Sequence, residues 1–274
     1  MKKTIAYILS FMLTIAIVLS ILVGVLANTI LSKQYFLGKL EEISFYDRTA
    51  EEINDTFQNY ILQSGMDETV LENIYDKQKL TQDINALVDA IYENKEIQIE
   101  TESIKEKLNA NIEKYLEEKQ LKTSHQEEVD IFVNTIAETY KDGVVYSAKA
   151  IKQMAPVTAK ASQAMQNVQP ILYATTAILA FILIAIHWNR KGEIAKYLGI
   201  SLLAAGLTIV IAKIYITTQL QIEGIMLLNA VVTNLIQNIA NQILEYIFYL
   251  GIVSSIIGGI CLIIKIMGIK EIEV

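Results

Sequence analysis

The chain has 274 residues, 53% of them hydrophobic, a formal net charge of -7 and a single cysteine, with a mean hydropathy of +0.36. That is too apolar for one average soluble domain, and one cysteine forms no disulfide within the chain. Residues 33–160 carry 25 acidic and 15 basic side chains, a balance of -10 against +3 for the rest, which excludes nucleic acid as a partner because phosphates need a basic surface.

Thr4 to Ser32 holds no charge over 29 positions, behind Lys2 and Lys3. A span needs about 20 apolar residues at roughly 1.5 Å each, so residues 1–32 read as a transmembrane signal anchor. Val25-Leu26-Ala27 is a tolerable cleavage site. A cleaved h-region, however, runs about 7–15 residues, and this one is far longer, so the anchor is expected to stay and its helix to continue outward.

Residues 33–169 read as an extracytoplasmic acidic helical domain, a bundle of antiparallel helices. Its first helix is expected to run from the membrane to Gln63 and stop at Ser64-Gly65, where glycine is the usual C-terminal signal. Asp67 is an expected N-cap for Val70, Leu71 and Ile74. Leu80, Ile84, Leu87, Val88 and Ile91 form the clearest amphipathic stripe. Ile97-Gln98-Ile99 is too short for a strand. Ser103 and Glu106 have capping-box spacing, ahead of a face with Ile104, Leu108, Ile112 and Leu116. Ser124 and Glu127 repeat the box before Val129, Phe132, Ile136 and Tyr140. A last helix, from about Val144, carries Ile151, Met154, Val157, Ala161, Ala164 and Met165, and should enter the next span with a kink at Pro156.

Transmembrane helix 2 is expected at 170–189, with Pro170 where a missing N–H costs least. A cytoplasmic turn at 190–196 follows, then helix 3 at 197–219, an amphipathic interfacial helix at 220–245, helix 4 at 246–266 and a cytoplasmic tail at 267–274. Positive charge sets the orientation. Four spans place Lys2, Lys3, Arg190, Lys191, Lys196, Lys265 and Lys270 all inside. A fifth span within 224–244 would push the last two outside. The expected fold is thus an all-α membrane protein with an N-terminal signal anchor, an extracytoplasmic helical bundle, a C-terminal cluster of three transmembrane helices and an amphipathic interfacial helix. The expected location is the cell membrane, with both termini cytoplasmic.

The residues that could carry chemistry are few. His125 and Glu128 have i, i+3 ligand spacing, but a di-metal bundle needs two such motifs, so a solvated helix start is the plainer reading and no metal or cofactor is expected. No Ser-His-Asp constellation, G-x-S-x-G or phosphate loop occurs. Carboxylate pairs for glycoside hydrolysis are plentiful, but a helical bundle rarely supplies a sugar cleft. The chain is expected not to be an enzyme. Lys213 lies inside a span, where charge often marks function, yet near an end a lysine snorkels to the interface. Asn234, Asn238, Asn241 and Glu245 share one helical face opposite Leu235, Ile236, Ile239 and Ile243. That describes an interfacial helix, with a polar path or inter-helix hydrogen bonding as the alternatives. Gly251, Ser255 and Gly259 form a small-residue ridge that lets helices approach, within the chain or across a dimer. Cys261 reads as a small apolar residue.

Tyr35-Phe36-Leu37-Gly38-Lys39-Leu40, Tyr60-Ile61-Leu62-Gln63-Ser64-Gly65 and Asp83 through Ile91-Tyr92 resemble uncharacterised multi-pass membrane proteins of low-GC Gram-positive bacteria. The resemblance implies an anchor, an outer helical region and C-terminal spans, and no activity or site residues. The expected partners are the lipid bilayer and a protein partner or second copy. The expected role is extracytoplasmic binding, sensing or protein interaction. The alternative is a small transporter or channel component using Lys213 and the Asn-rich 229–242 segment.

Overall fold

The computed structural model describes residues 2–93, 95, 98–121, 126–220, 224 and 230–267, without the side chains of 2, 146–159 and 220. Among them the structure is all-helical. It comprises α1 (Lys2–Asn28), α2 (Lys33–Glu42), α3 (Phe45–Ser64), a 3₁₀ turn (Glu68–Leu71), α4 (Lys77–Glu93), α5 (Glu102–Glu118), α6 (Gln126–Ile186), α7 (Lys191–Leu220) and α8 (Ala230–Ile266). Contacts divide the chain into two units. An acidic unit holds residues 33–159 and the first turn of α8 through Leu235; an apolar unit holds the rest. The division at 159/160 falls ten residues before the boundary expected at 169/170.

In the acidic unit the expected stripe on α4 is buried throughout: Leu80, Ile84, Leu87, Val88 and Ile91. The Asp76 carboxylate caps this helix, accepting the Lys79 N–H at 2.7 Å. On α5, Ile104, Leu108 and Ile112 are buried. Its N-cap is Thr101, with the Ile104 N–H reaching the Thr101 carbonyl at 3.0 Å; Ser103 already lies inside the helix, so its capping box does not form. Gly65 stops α3 in a left-handed conformation (φ 72) and donates its N–H to Ile61 O.

The long first helix expected up to Gln63 is broken twice. Asn28 Nδ2 donates to Gly24 O at 2.7 Å and Thr29 Oγ1 to Val25 O at 2.6 Å. These side chains take up carbonyls at the end of α1, which stops there without glycine or proline. Ser44 adopts φ 54 between α2 and α3. A left-handed non-glycine residue costs about 1–3 kcal/mol, and here it begins a helix whose Phe45 and Tyr46 are buried.

At α6 the deviation is opposite. The two helices expected around Val144 form one 61-residue helix that passes through Gly143, Pro156 and Pro170. Ser124 and His125, on which the second capping box and the His125/Glu128 pair depend, lie outside the described residues. The interfacial helix expected at 220–245 is also not separate among the described residues. From Ala230 it continues through 245/246 to Ile266 as a single 37-residue helix, about 55 Å long against a hydrocarbon core of about 30 Å.

The acidic unit holds buried phenols whose pH behaviour is testable. Burial pushes the Tyr75 phenol up to about 12, and burial together with the Glu41 carboxylate does the same for Tyr46, from an ordinary 10.0. Tyr46 donates to Asn85 Oδ1 at 2.7 Å and Tyr75 to Asn54 Oδ1 at 2.8 Å. Below pH 10.0 folded and unfolded chains both keep these protons, so stability is unaffected. From 10.0 to about 12 the unfolded chain ionises first, and stability falls as pH rises. Helical circular dichroism of the solubilised protein should therefore decline across that window, with a shallower decline in Tyr46→Phe/Tyr75→Phe. An unchanged slope in the double variant would contradict this account.

Candidate functional site

Among the described residues four helices are long and apolar enough to cross a membrane: Lys3–Asn28, Lys160–Ile186, Lys191–Gln219 and Ala230–Ile266. Their contacts fix a register. Tyr173 of α6 lies over Gly24 of α1, Ser20 and Thr176 share a 2.9 Å hydrogen bond, and Ser162 donates to Leu31 O at 3.2 Å. Thus α1 and α6 are antiparallel. Helix α7 runs parallel to α1. Ser10 and Ser201 hydroxyls lie 2.8 Å apart, and each is also within reach of the other helix's backbone, Ser10 Oγ at 3.1 Å from Tyr197 O and Ser201 Oγ at 2.9 Å from Ser10 O, so their two protons are shared among these acceptors. Both serines are buried. Neither was singled out from the sequence, because a serine in a span looks like any small residue until its partner helix is known.

Helix α8 packs antiparallel on α7 at backbone contact. A Cβ on Gly206 would stand 2.6 Å from Ser255 N, one on Gly251 2.8 Å from Ile209 Cγ2, one on Gly199 2.9 Å from Gly258 O and one on Gly258 2.8 Å from Gly199 O. Ser254 Oγ donates to Leu202 O at 2.8 Å. Of the ridge read from the sequence, Gly251 and Ser255 face α7. Gly259 does not, having nothing within 4 Å of a Cβ built there. Gly258 takes its place.

This register gathers polar side chains at one end of the unit. The Lys196 ammonium lies 5.3 Å from the Tyr7 ring centroid and 5.1 Å from that of Tyr197. Tyr197 also packs edge-on against Tyr7, at 5.2 Å, and at a 41° tilt against buried His187, at 5.0 Å. Glu193 sits 4.0 Å from Lys196 and 3.4 Å from Lys265. Groups from α1, α7, α8 and the turn after α6 meet here, and Leu31 with Ser162 marks the opposite end.

The Lys213 ammonium rests 5.0 Å from the Phe248 ring centroid, about 25 Å along α7 from Lys196 and so toward the far end. Asn234, Asn238, Asn241 and Glu245 lie on the exposed face of α8, while Val231, Val232, Leu235 and Ile239 on its other side are buried. No hydrogen bond among the described residues joins Lys213 to any of these asparagines. Cys261 is half-buried, its Cβ 3.0 Å from a Cβ built on Gly199.

Among the described residues of the acidic unit lie clefts of about 470 and 520 Å³, which share Asn73 on their walls. The larger is lined by Asp47, Glu51, Asn54, Tyr75 and Lys77, and Lys77 is already paired with Asp47 at 2.5 Å. Among the described residues no group of three or more His, Cys, Asp or Glu side chains is placed to hold a metal ion. No family model, curated protein or solved structure matches the chain.

Proposed function

We propose that this is a four-span membrane protein whose acidic helical unit stands outside the cytoplasm and serves as a binding or sensing module for a partner at the cell surface. The supporting observation is the charge placement in the apolar unit. Lys196 and Lys265, with the Arg190-Lys191 turn between α6 and α7, belong to one end. The chain passes into the acidic unit at Ser32 and returns at Lys160, by the Leu31–Ser162 contact that marks the other end. By the positive-inside rule the basic end is cytoplasmic. The acidic unit has a core of its own and open clefts. The transport reading draws less support, since its asparagines line no path between the described helices.

Orientation is tested with Cys261→Ser as background. Asp55→Cys should react with a membrane-impermeant maleimide on intact cells, and Lys191→Cys only after permeabilisation. The reverse pattern would overturn the orientation. For the binding role, mild-detergent purification through a C-terminal tag should bring down a stoichiometric partner. A lone oligomer that conducts solute in liposomes would instead favour transport.

A further inference from the structure

We propose that the basic end of the four-helix unit holds the phosphate headgroup of an anionic lipid through Arg190, Lys191, Lys196 and Lys265. The inference rests on the membrane reading above and adds a ligand that it does not require. Three segments supply the cations: the α6–α7 turn gives Arg190, the start of α7 gives Lys191 and Lys196, and the last turn of α8 gives Lys265. Glu193 is the only acidic residue between Asp142 and Glu223, and it stands between Lys196 and Lys265 at 4.0 and 3.4 Å. Arg190 and Lys191 are exposed and have no ion pair among the described residues.

Gly192 leaves room for Lys265, whose ammonium would lie 3.1 Å from a Cβ built there. The side-chain-free surface lets one cation lie across the turn that carries the others. A clustered set of cations between spans, at the membrane surface, is the arrangement that recognises anionic headgroups.

The surroundings favour a lipid over free phosphate. Trp188, 70% exposed, adjoins the turn, and Ile266 (82%) and Met267 (74%) follow Lys265. An indole at the interface and bare aliphatic side chains beside the cations suit acyl chains below a headgroup; a soluble anion would use only the charges.

Trp188 is the only tryptophan in the chain, so its emission reports on this site. The full-length protein is reconstituted in phosphatidylcholine vesicles with equal bromine content, carried on either phosphatidylglycerol or phosphatidylcholine. Brominated phosphatidylglycerol should quench Trp188 more strongly. Each cation removed should weaken that lipid's association roughly fivefold, so Arg190→Gln/Lys191→Gln should erase most of the preference, while Arg190→Lys/Lys191→Arg should keep it. Added salt should weaken it. Equal quenching by the two lipids, or a preference that survives the double glutamine variant, would overturn the proposal. So would a preference erased by millimolar inorganic phosphate, which would make the site a general anion site. A preference that appears only in Glu271→Gln/Glu273→Gln would assign the cations to the chain's own tail and overturn it too. Quenching by neither lipid would overturn the membrane reading, and this inference with it.

Discussion

Gly206→Ala and Gly258→Ala will lower the unfolding temperature of the detergent-solubilised protein, while Gly259→Ala will leave it unchanged or raise it slightly. At Gly206 the new methyl meets the Ser255 backbone N at 2.6 Å; at Gly258 it meets Gly199 O at 2.8 Å and Leu203 Cα at 2.9 Å. These are backbone atoms of the partner helix, and no rotamer change moves them away. The helices must part, which loosens every contact along the seam, including the Ser254–Leu202 hydrogen bond. Overpacking of this kind costs about 1–3 kcal/mol and occasionally more. Gly259 is one residue further along the same helix, with open space around its Cβ position. There alanine gains its helix propensity, about 1 kcal/mol at most. A similar loss at 258 and 259 would mean that α7 and α8 do not pack in this register. Thermal unfolding of the three variants in one detergent decides it.

The four long apolar helices were legible in the sequence because a charge-free run of span length carries too much apolar surface to be left in water. The stripe from Leu80 to Ile91 was equally plain, since one buried face on a helix imposes its period on the residues. The seam was only half legible. Spacing of four led to Gly251, Ser255 and Gly259, whereas the packing uses spacing of seven: Gly199 and Gly206 on α7 against Gly258 and Gly251 on α8. An antiparallel pair repeats its contact every two turns, so equal seven-residue spacings on successive spans were the available signal. Reading one span at a time could not reveal it.

Helix ends were hidden for a different reason. The end of α1 carries no glycine or proline, only Asn28 and Thr29 bonded to the carbonyls of Gly24 and Val25, and these residue types also occur inside helices. The break at Ser44 follows from where Phe45 and Tyr46 must be buried, a tertiary demand. Pro170 suggested a helix start, but α6 runs as one helix through it and through Pro156. The Ser10–Ser201 pairing joins residues 191 positions apart and has no local signature.

The sharpest consequence of α8 being one helix concerns Leu235. Helices read as lying in an interface bury their apolar side in lipid, and then Leu235 and Asn234 would differ only in depth. Instead the first turn of α8 belongs to the acidic unit, where Val231, Val232 and Leu235 are 5%, 2% and 1% exposed. Leu235→Ala is therefore a core truncation, and should destabilise the acidic unit by about 2–5 kcal/mol. Asn234→Ala and Asn238→Ala, on the exposed face, should change stability by less than about 0.5 kcal/mol. Limited proteolysis of the detergent-solubilised protein reads this directly. Faster cleavage within residues 33–121 of Leu235→Ala, with the asparagine variants unchanged, is the expected result. If Leu235→Ala leaves cleavage there unchanged, the start of α8 contributes nothing to the acidic unit's core. The expected result would mean that the C-terminal segment helps build the proposed binding module.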